Sequence, residues 1–352
     1  MKTIGYAAQS ATGPLAPFTF ERRELRANDV AMEILYSGVC HSDLHTARGD
    51  WGAPVYPAIP GHEIVGRVTA VGPDVTGFKV GDNVAVGCMV DSCQECGHCH
   101  SGEEQYCAEG ATFTYNSPDR INGENTYGGY SKHLVVREEF VLRVPDGLDL
   151  SRAAPLLCAG ITTYSPLRTW GVGPGSHVAI VGMGGLGHMA IKLAVGLGAH
   201  VTVLSRSADK EADARELGAN AFLLSNNAQA MAGAASTFDL IIDTVPVKHD
   251  INPYMPLVKV DGTLVLVGQV GPLDETSTVP MIMGRRSVAG SLIGGIKETQ
   301  EMLDFCARMN ILPECEMIRM DQINEAWDRM ERSDVRYRFV IDMSSLSEKA
   351  AA

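Results

Sequence analysis

The sequence predicts a two-domain α/β protein in which a doubly wound parallel sheet is inserted between the two parts of a β-rich domain. Three observations carry this. At 352 residues the chain is longer than one hydrophobic core usually serves. Between about residues 30 and 145, short apolar runs are broken by glycine and proline, the rhythm of strands and turns. From about residue 158 apolar strands alternate with helical stretches, as in parallel βαβ units. The β-rich domain is therefore expected over residues 1–156 and 295–352, and the parallel sheet over 157–294.

In chain order, residues 30–36, 64–71 and 83–87 read as strands, with turns at Pro73-Asp74, Gly77 and Gly81-Asp82. Residues 178–181 are continuously apolar, as a strand buried on both faces of a parallel sheet must be. A glycine-rich turn follows, then a helix through Leu197. Residues 201–204, 221–224, 240–243 and 264–267 are further strand candidates. Beyond residue 295 the pattern turns mixed, with a helix over 298–308 and a strand over 338–342. No internal repeat is evident, and residues 348–352 form a low-complexity end.

A net charge of −13 argues against a nucleic-acid partner, and Arg285-Arg286 is the densest basic pair. The first residues lack the apolar run of a secretory signal, and no stretch could span a bilayer, so the expected home is a reducing cytoplasm. The partners expected are small molecules.

Of the nine cysteines, Cys93, Cys96, Cys99 and Cys107 have the spacing C-x2-C-x2-C-x7-C. Two-residue spacings let neighbouring thiolates turn onto one ion, and four sulfurs close a tetrahedral structural zinc shell. A disulfide knot is the alternative, but it suits small secreted domains. Cys88, Cys306 and Cys315 have no visible role and read as buried thiols.

The turn Gly182-Met183-Gly184-Gly185-Leu186-Gly187 follows a predicted strand and opens a helix, the context a dinucleotide fingerprint requires. Gly182 permits the tight turn, Gly184 lets a pyrophosphate approach the backbone, and Gly187 lets helix pack on strand. An NAD enzyme would place a carboxylate at the end of the next strand; here stand Ser205-Arg206-Ser207, with Lys210 beyond. Hydroxyls, a guanidinium and an ammonium suit a 2′-phosphate, so NADP(H) is the expected cofactor. Ser207 as a helix N-cap and Lys210 as a solvated charge are the plainer roles, and an inward-facing Asp209 would count against NADP.

Cys40, His62 and Cys158 are far apart in sequence, yet two thiolates and an imidazole leave a fourth zinc position open, the pattern of a catalytic site. Taken singly, each is more simply a core residue. Together with Gly61-His62-Glu63, the four-cysteine lobe, the glycine-rich turn, Ala289-Gly290-Ser291-Leu292-Ile293-Gly294 and Arg336-Tyr337-Arg338-Phe339-Val340, they make the chain resemble the zinc-dependent medium-chain alcohol dehydrogenases. Within them it is most similar to the cinnamyl alcohol dehydrogenase group and its bacterial NADPH-dependent aldehyde reductases.

That resemblance implies a GroES-like catalytic domain, a Rossmann domain, two Zn2+ per chain, a homodimer, and reversible reduction of aldehydes to primary alcohols. It implies catalytic zinc on Cys40, His62 and Cys158, with Glu63 as an occasional fourth ligand. Ser42 would bond the reacting oxygen, His45 would end a proton relay, and Asp43 would orient His62. Thr162, Thr244, Gly268 and Ser291, Leu292 and Ile293 match cofactor contacts, Arg338 a pyrophosphate partner, and His41 a further residue facing the cofactor.

The chain departs from the lignin-pathway enzymes in the substrate pocket. Phe113 stands where they tend to carry tryptophan, Leu292 replaces a bulky aromatic, and Trp51 and Ala53 redraw the near wall. An apolar pocket for aromatic and medium aliphatic aldehydes follows. The alternatives are a cinnamyl alcohol dehydrogenase proper and a polyol dehydrogenase, the latter with an acid at the place of Ser205. Zinc-free quinone reductases would lack Cys40 and the cysteine lobe, and a zinc-ribbon binding module would explain only the lobe.

Overall fold

The computed structural model describes residues 1–268 and 270–346; the low-complexity end, 348–352, lies outside them. The chain divides into two compact units, Met1–Cys158 with Gly294–Ala352, and Ala159–Ile293.

The first unit is organised by one long strand, Asp29–Val39, most of whose residues are buried. It pairs antiparallel with Ile64–Val71, His133–Arg137 and Arg338–Asp342. Two register shifts against Ile64–Val71 bend it, as bulges do, so that one strand serves three neighbours. Cys315–Arg319 adds in parallel to Arg338–Asp342, so residues beyond 294 complete a sheet begun before residue 158. Asn83–Val86 and Leu142–Arg143 extend the other side. A hairpin of Lys2–Ala7 and Ala16–Glu21, not expected from the sequence, stands apart. Arg22 anchors its end: the buried guanidinium donates to Gly128 O at 2.8 Å, Ser131 Oγ at 2.7 Å and His133 O at 2.9 Å.

In the second unit six strands are all parallel, in spatial order Ala221–Leu224, His200–Ser205, His177–Val181, Phe238–Asp243, Val258–Leu266 and Ser287–Gly290. The chain runs outward from His177–Val181 in one direction, then returns to its other side at Phe238–Asp243. The crevice between those two strands is the switch point where such sheets bind ligands. Val178, Ala179 and Ile180 are fully buried, as their apolar run requires, and Leu204, Ile241, Met255 and Leu264 fill the core. The strand expected over 264–267 starts earlier, at Val258, because Lys259, Asp261 and Gly262 hide its first half from an apolar pattern. Among the described residues no helix is long and apolar enough to cross a membrane.

Candidate metal centres and nucleotide cradle

Cys40 ends the long central strand and opens the helix His41–Arg48. His62 and Glu63 immediately precede Ile64–Val71, the strand paired with it, and Cys158 closes the 3-10 turn Ala154–Leu157. Strand pairing thus delivers residues far apart in sequence to one point: ligand atoms of Cys40, His62, Glu63 and Cys158 all lie within 4.8 Å of one another, and all four residues are buried. The Cys40 and Cys158 sulfurs are 4.0 Å apart. Zn–S bonds of about 2.3 Å at tetrahedral angles put two sulfurs about 3.8 Å apart, so the pair fits a zinc ion.

Asp43 fixes the geometry. Its Oδ1 accepts from Gly61 N at 2.9 Å and faces His62 Nδ1 at 2.9 Å, leaving His62 Nε2 for a metal. Its Oδ2 accepts from Cys40 N at 3.0 Å and from the Tyr130 hydroxyl at 2.9 Å. Glycine is forced at position 61, where φ is +103° and a Cβ would lie 2.7 Å from Tyr130 Cδ1.

The electrostatics suit a cation. The hydrogen bond from Cys158 holds the Cys40 thiol well below its usual range, and the partner thiol rises correspondingly. Burial works most strongly against a charged His62, yet the charge and hydrogen bond of Asp43 together with the neighbouring Cys88 and Cys40 thiols outweigh it and raise its pKa well above the ordinary value. Glu63 is pushed up to about 7, first by burial, against the pull of Arg338.

Arg338, expected at a pyrophosphate, hydrogen-bonds and ion-pairs with Glu63 through Nη2 and is 5% exposed. A buried guanidinium needs a counter-charge, and Glu63 supplies it. The other Glu63 oxygen, Oε2, is buried without a hydrogen-bond partner, an acceptor left over beside the thiols and the imidazole. Gly38 makes room for this carboxylate: a Cβ there would land on Glu63 Oε2. Cys88, expected to have no role, lies half-buried and donates to Leu157 O at 3.7 Å, next to Cys158; Cys315 is also half-buried and Cys306 is buried.

The four lobe cysteines converge likewise. Cys93 and Cys99 sulfurs are 3.8 Å apart, those of Cys96 and Cys99 3.5 Å. Backbone N–H groups of Cys93, Cys96 and Ala108 point at Cys107, Cys93 and Cys96 sulfurs at 3.3–3.4 Å, the arrangement that supports thiolates. The Ala108 N–H leads in bringing the Cys96 thiol down to about 6, while burial pushes Cys99 up to about 12. Four thiols so close cannot all ionise alone, and one cation lets them.

In the second unit, Gly182 has φ +87° and Gly187 would place a Cβ on the Gly182 carbonyl oxygen, whereas a Cβ at Gly184 would meet nothing within 4 Å. Two glycines are thus demanded by the turn and its packing, and the third borders open space that a pyrophosphate would fill. Thr244 Oγ1 donates to Val181 O at 2.8 Å, and Gly268 packs against Thr244 too closely for any side chain. Thr162 and Met183 are buried. Ser205 ends its strand half-buried, Arg206, Ser207 and Asp209 are exposed, and Lys210 is intermediate. Ser207 stands at the N-cap position but makes no side-chain cap bond; its N–H donates to Ser205 Oγ at 3.2 Å.

Around the metal set, Cys40 Sγ donates to Ser42 Oγ at 3.6 Å, and His45 Nδ1 lies 2.8 Å from exposed Asp50. His41 is half-buried, with burial lowering its pKa. Trp51 lies against His45, ring centres 5.1 Å apart, while Ala53 and Phe113 are exposed on the first unit and Leu292 on the second. Tyr115 and Tyr130 were not apparent from the sequence, since neither lies in a recognisable motif.

Residues 26–146 match the alcohol dehydrogenase GroES-like domain family, and residues 185–308 the zinc-binding dehydrogenase family. The chain is 54% identical over 348 residues to an NADP-dependent alcohol dehydrogenase C of Mycolicibacterium smegmatis, covering 98% of this chain and 99% of that one. It is 52% identical over 350 residues to the aldehyde reductase YahK of Escherichia coli, covering 99% and 100%. A solved cinnamyl alcohol dehydrogenase from Sorghum bicolor superposes with a TM-score of 0.94 at 46% identity, covering 98% of each chain. The geometry of two thiolate-rich metal sets and a glycine cradle therefore has a family to go with it, and the chain belongs to the zinc-binding alcohol dehydrogenases.

Proposed function

We propose that this chain catalyses the reversible, zinc-dependent reduction of aromatic and aliphatic aldehydes to primary alcohols with NADPH. The observation that carries the reading is the buried donor group of Cys40, His62, Glu63 and Cys158, in which Arg338 already engages Glu63. Three soft ligands then remain and one position stays open to substrate. Cys93, Cys96, Cys99 and Cys107 would hold a second, structural zinc. The unit Ala159–Ile293 binds the dinucleotide, with Ser205, Arg206, Ser207 and Lys210 taking the 2′-phosphate.

When bound, zinc polarises the carbonyl and NADPH supplies the hydride. Ser42, beside the Cys40 sulfur, gives its hydroxyl proton to the reacting oxygen. His45, one turn along the same helix and tied to exposed Asp50, replenishes that proton from solvent. Relatives named NADP-dependent alcohol dehydrogenase and aldehyde reductase support the reaction class. The test is an NADPH-consumption screen over aromatic, aliphatic and sugar aldehydes, repeated with NADH. Turnover of aromatic and medium aliphatic aldehydes with NADPH is expected; equal rates with NADH, or turnover of sugars alone, would overturn the reading.

The working form is a homodimer on this reading. Ser287–Gly290 ends the parallel sheet, and on the nearby helix Val279, Ile282 and Met283 are 65%, 75% and 80% exposed. Light scattering should give twice the 37.7 kDa chain mass. A cytoplasmic, reducing setting suits the protein, because oxidation would take thiolates from both metal sets.

A further inference from the structure

Asp43 receives more hydrogen bonds than holding one histidine requires. A carboxylate offers about four lone-pair sites. Two go to the N–H groups of Cys40 and Gly61, one to His62, and one to the Tyr130 hydroxyl. Tyr115 stands beside the same pair, its ring centre 5.6 Å from that of His62 and its hydroxyl within the field of the Asp43 carboxylate. The two backbone donors and His62 engage both carboxylate oxygens and already fix the group, so the tyrosines need a separate account.

That account is charge. An imidazole bonded through Nδ1 to an unshared carboxylate becomes a stronger donor through Nε2. A hydroxyl competing for the same carboxylate draws charge from it and tempers that donation. Both tyrosines stay protonated, since burial and then the Asp43 charge raise their pKa values. Tyr130 cannot turn away: it is 0% exposed, Gly61 is packed on its ring, and its N–H donates to Pro60 O at 2.9 Å.

We propose that Tyr130 and Tyr115 are positioning residues that act through Asp43 to limit how strongly His62 donates to the catalytic metal, keeping that ion a sharper Lewis acid. The proposal rests on the assignment of Cys40, His62 and Cys158 as metal ligands. It is tested on the full chain with cobalt(II) in that set and zinc kept in the four-cysteine lobe.

Tyr130→Phe should shift the cobalt absorption bands and slow the loss of the ion to a chelator by about tenfold, the scale of outer-shell effects on metal affinity. Its kcat should fall while KM is unchanged. A purely structural tyrosine predicts the opposite sign, faster ion loss with unmoved bands and a lower melting temperature in the metal-free protein, and that result overturns the proposal. Unchanged bands and release rate overturn it too. Should Tyr130→Phe fail to fold, Tyr115→Phe is judged on the same readouts. A Cys40→Ser control separates the two levels: if the cobalt spectrum does not depend on Cys40, the ligand assignment itself has failed.

Discussion

At the scale of single residues, the buried pair Glu63–Arg338 is the most exposed to mutation. Arg338→Met leaves a buried carboxylate without its counter-charge, a change that costs about 3–5 kcal/mol. Thermal melting should show that loss, and adding Glu63→Gln should return much of it, because the stranded charge is then gone. Arg206 makes a second case. Arg206→Ala should raise the KM for NADPH and barely alter that for NADH, as measured by steady-state kinetics; equal losses would make it a residue of the fold. The two candidate metal sets were legible because cysteines and a histidine at motif positions say what they could bind, and the structure brings each set together. The pairing of Arg338 with Glu63 was not legible, since the two lie 275 residues apart and only sheet pairing unites them. The same holds for Tyr130, 87 residues from Asp43.

At the scale of elements, the glycine-rich turn separates two roles that look alike in sequence. Gly187→Ala should lower the melting temperature with or without cofactor, because the new methyl group meets the Gly182 carbonyl. Gly184→Ala should leave the free protein as stable as before and abolish the rise in melting temperature that NADPH gives, since its methyl enters only open space. The loop beyond the cysteine lobe depends on pH. Burial opposes the charge of Asp119, but Arg26, at 3.0 and 3.1 Å, and the N–H groups of Ile121 and Asn122 outweigh it and lower its pKa. A lowered folded pKa gives stability that is present above the unfolded value near 3.8 and lost as pH falls through the folded one. The melting temperature of Asp119→Asn should therefore sit below that of the parent at neutral pH and converge with it in acid. Of the strands, Ile64–Val71, Ala221–Leu224 and Arg338–Asp342 have the bounds read from the sequence, the first two having Gly, Asn or Ser at their flanks and the third an apolar run closed by charged residues at both ends. The hairpin Lys2–Ala7 with Ala16–Glu21 escaped notice because its second strand is mostly exposed and shows no apolar run.

At the scale of the whole molecule, two metal sets of different openness imply two different consequences of metal loss. Elemental analysis should find close to two zinc ions per chain. Cys99→Ser should remove one of them and lower the melting temperature, because binding of a structural ion is coupled to folding. Full activity and unchanged melting in that variant would remove the structural assignment. The two-unit organisation and the return of the late segment to the first unit were visible as changes of rhythm near residues 158 and 295, whereas the partner of each late strand was not, since parallel and antiparallel neighbours leave no local mark.

Gly38 carries a lesson for anyone diversifying this protein. Position 38 sits in a strand, most of the chain away in sequence from Arg338, and a library built there alone should return glycine almost exclusively, because every side chain begins with the atom that Glu63 excludes. Diversity at 38 becomes available only when position 63 loses its side chain in the same clone, because the Glu63 Cβ would itself lie 2.9 Å from a Cβ at 38. The two sites are thus one unit of heredity as well as of packing, and any recombination that swaps the first strand without the second should be purged.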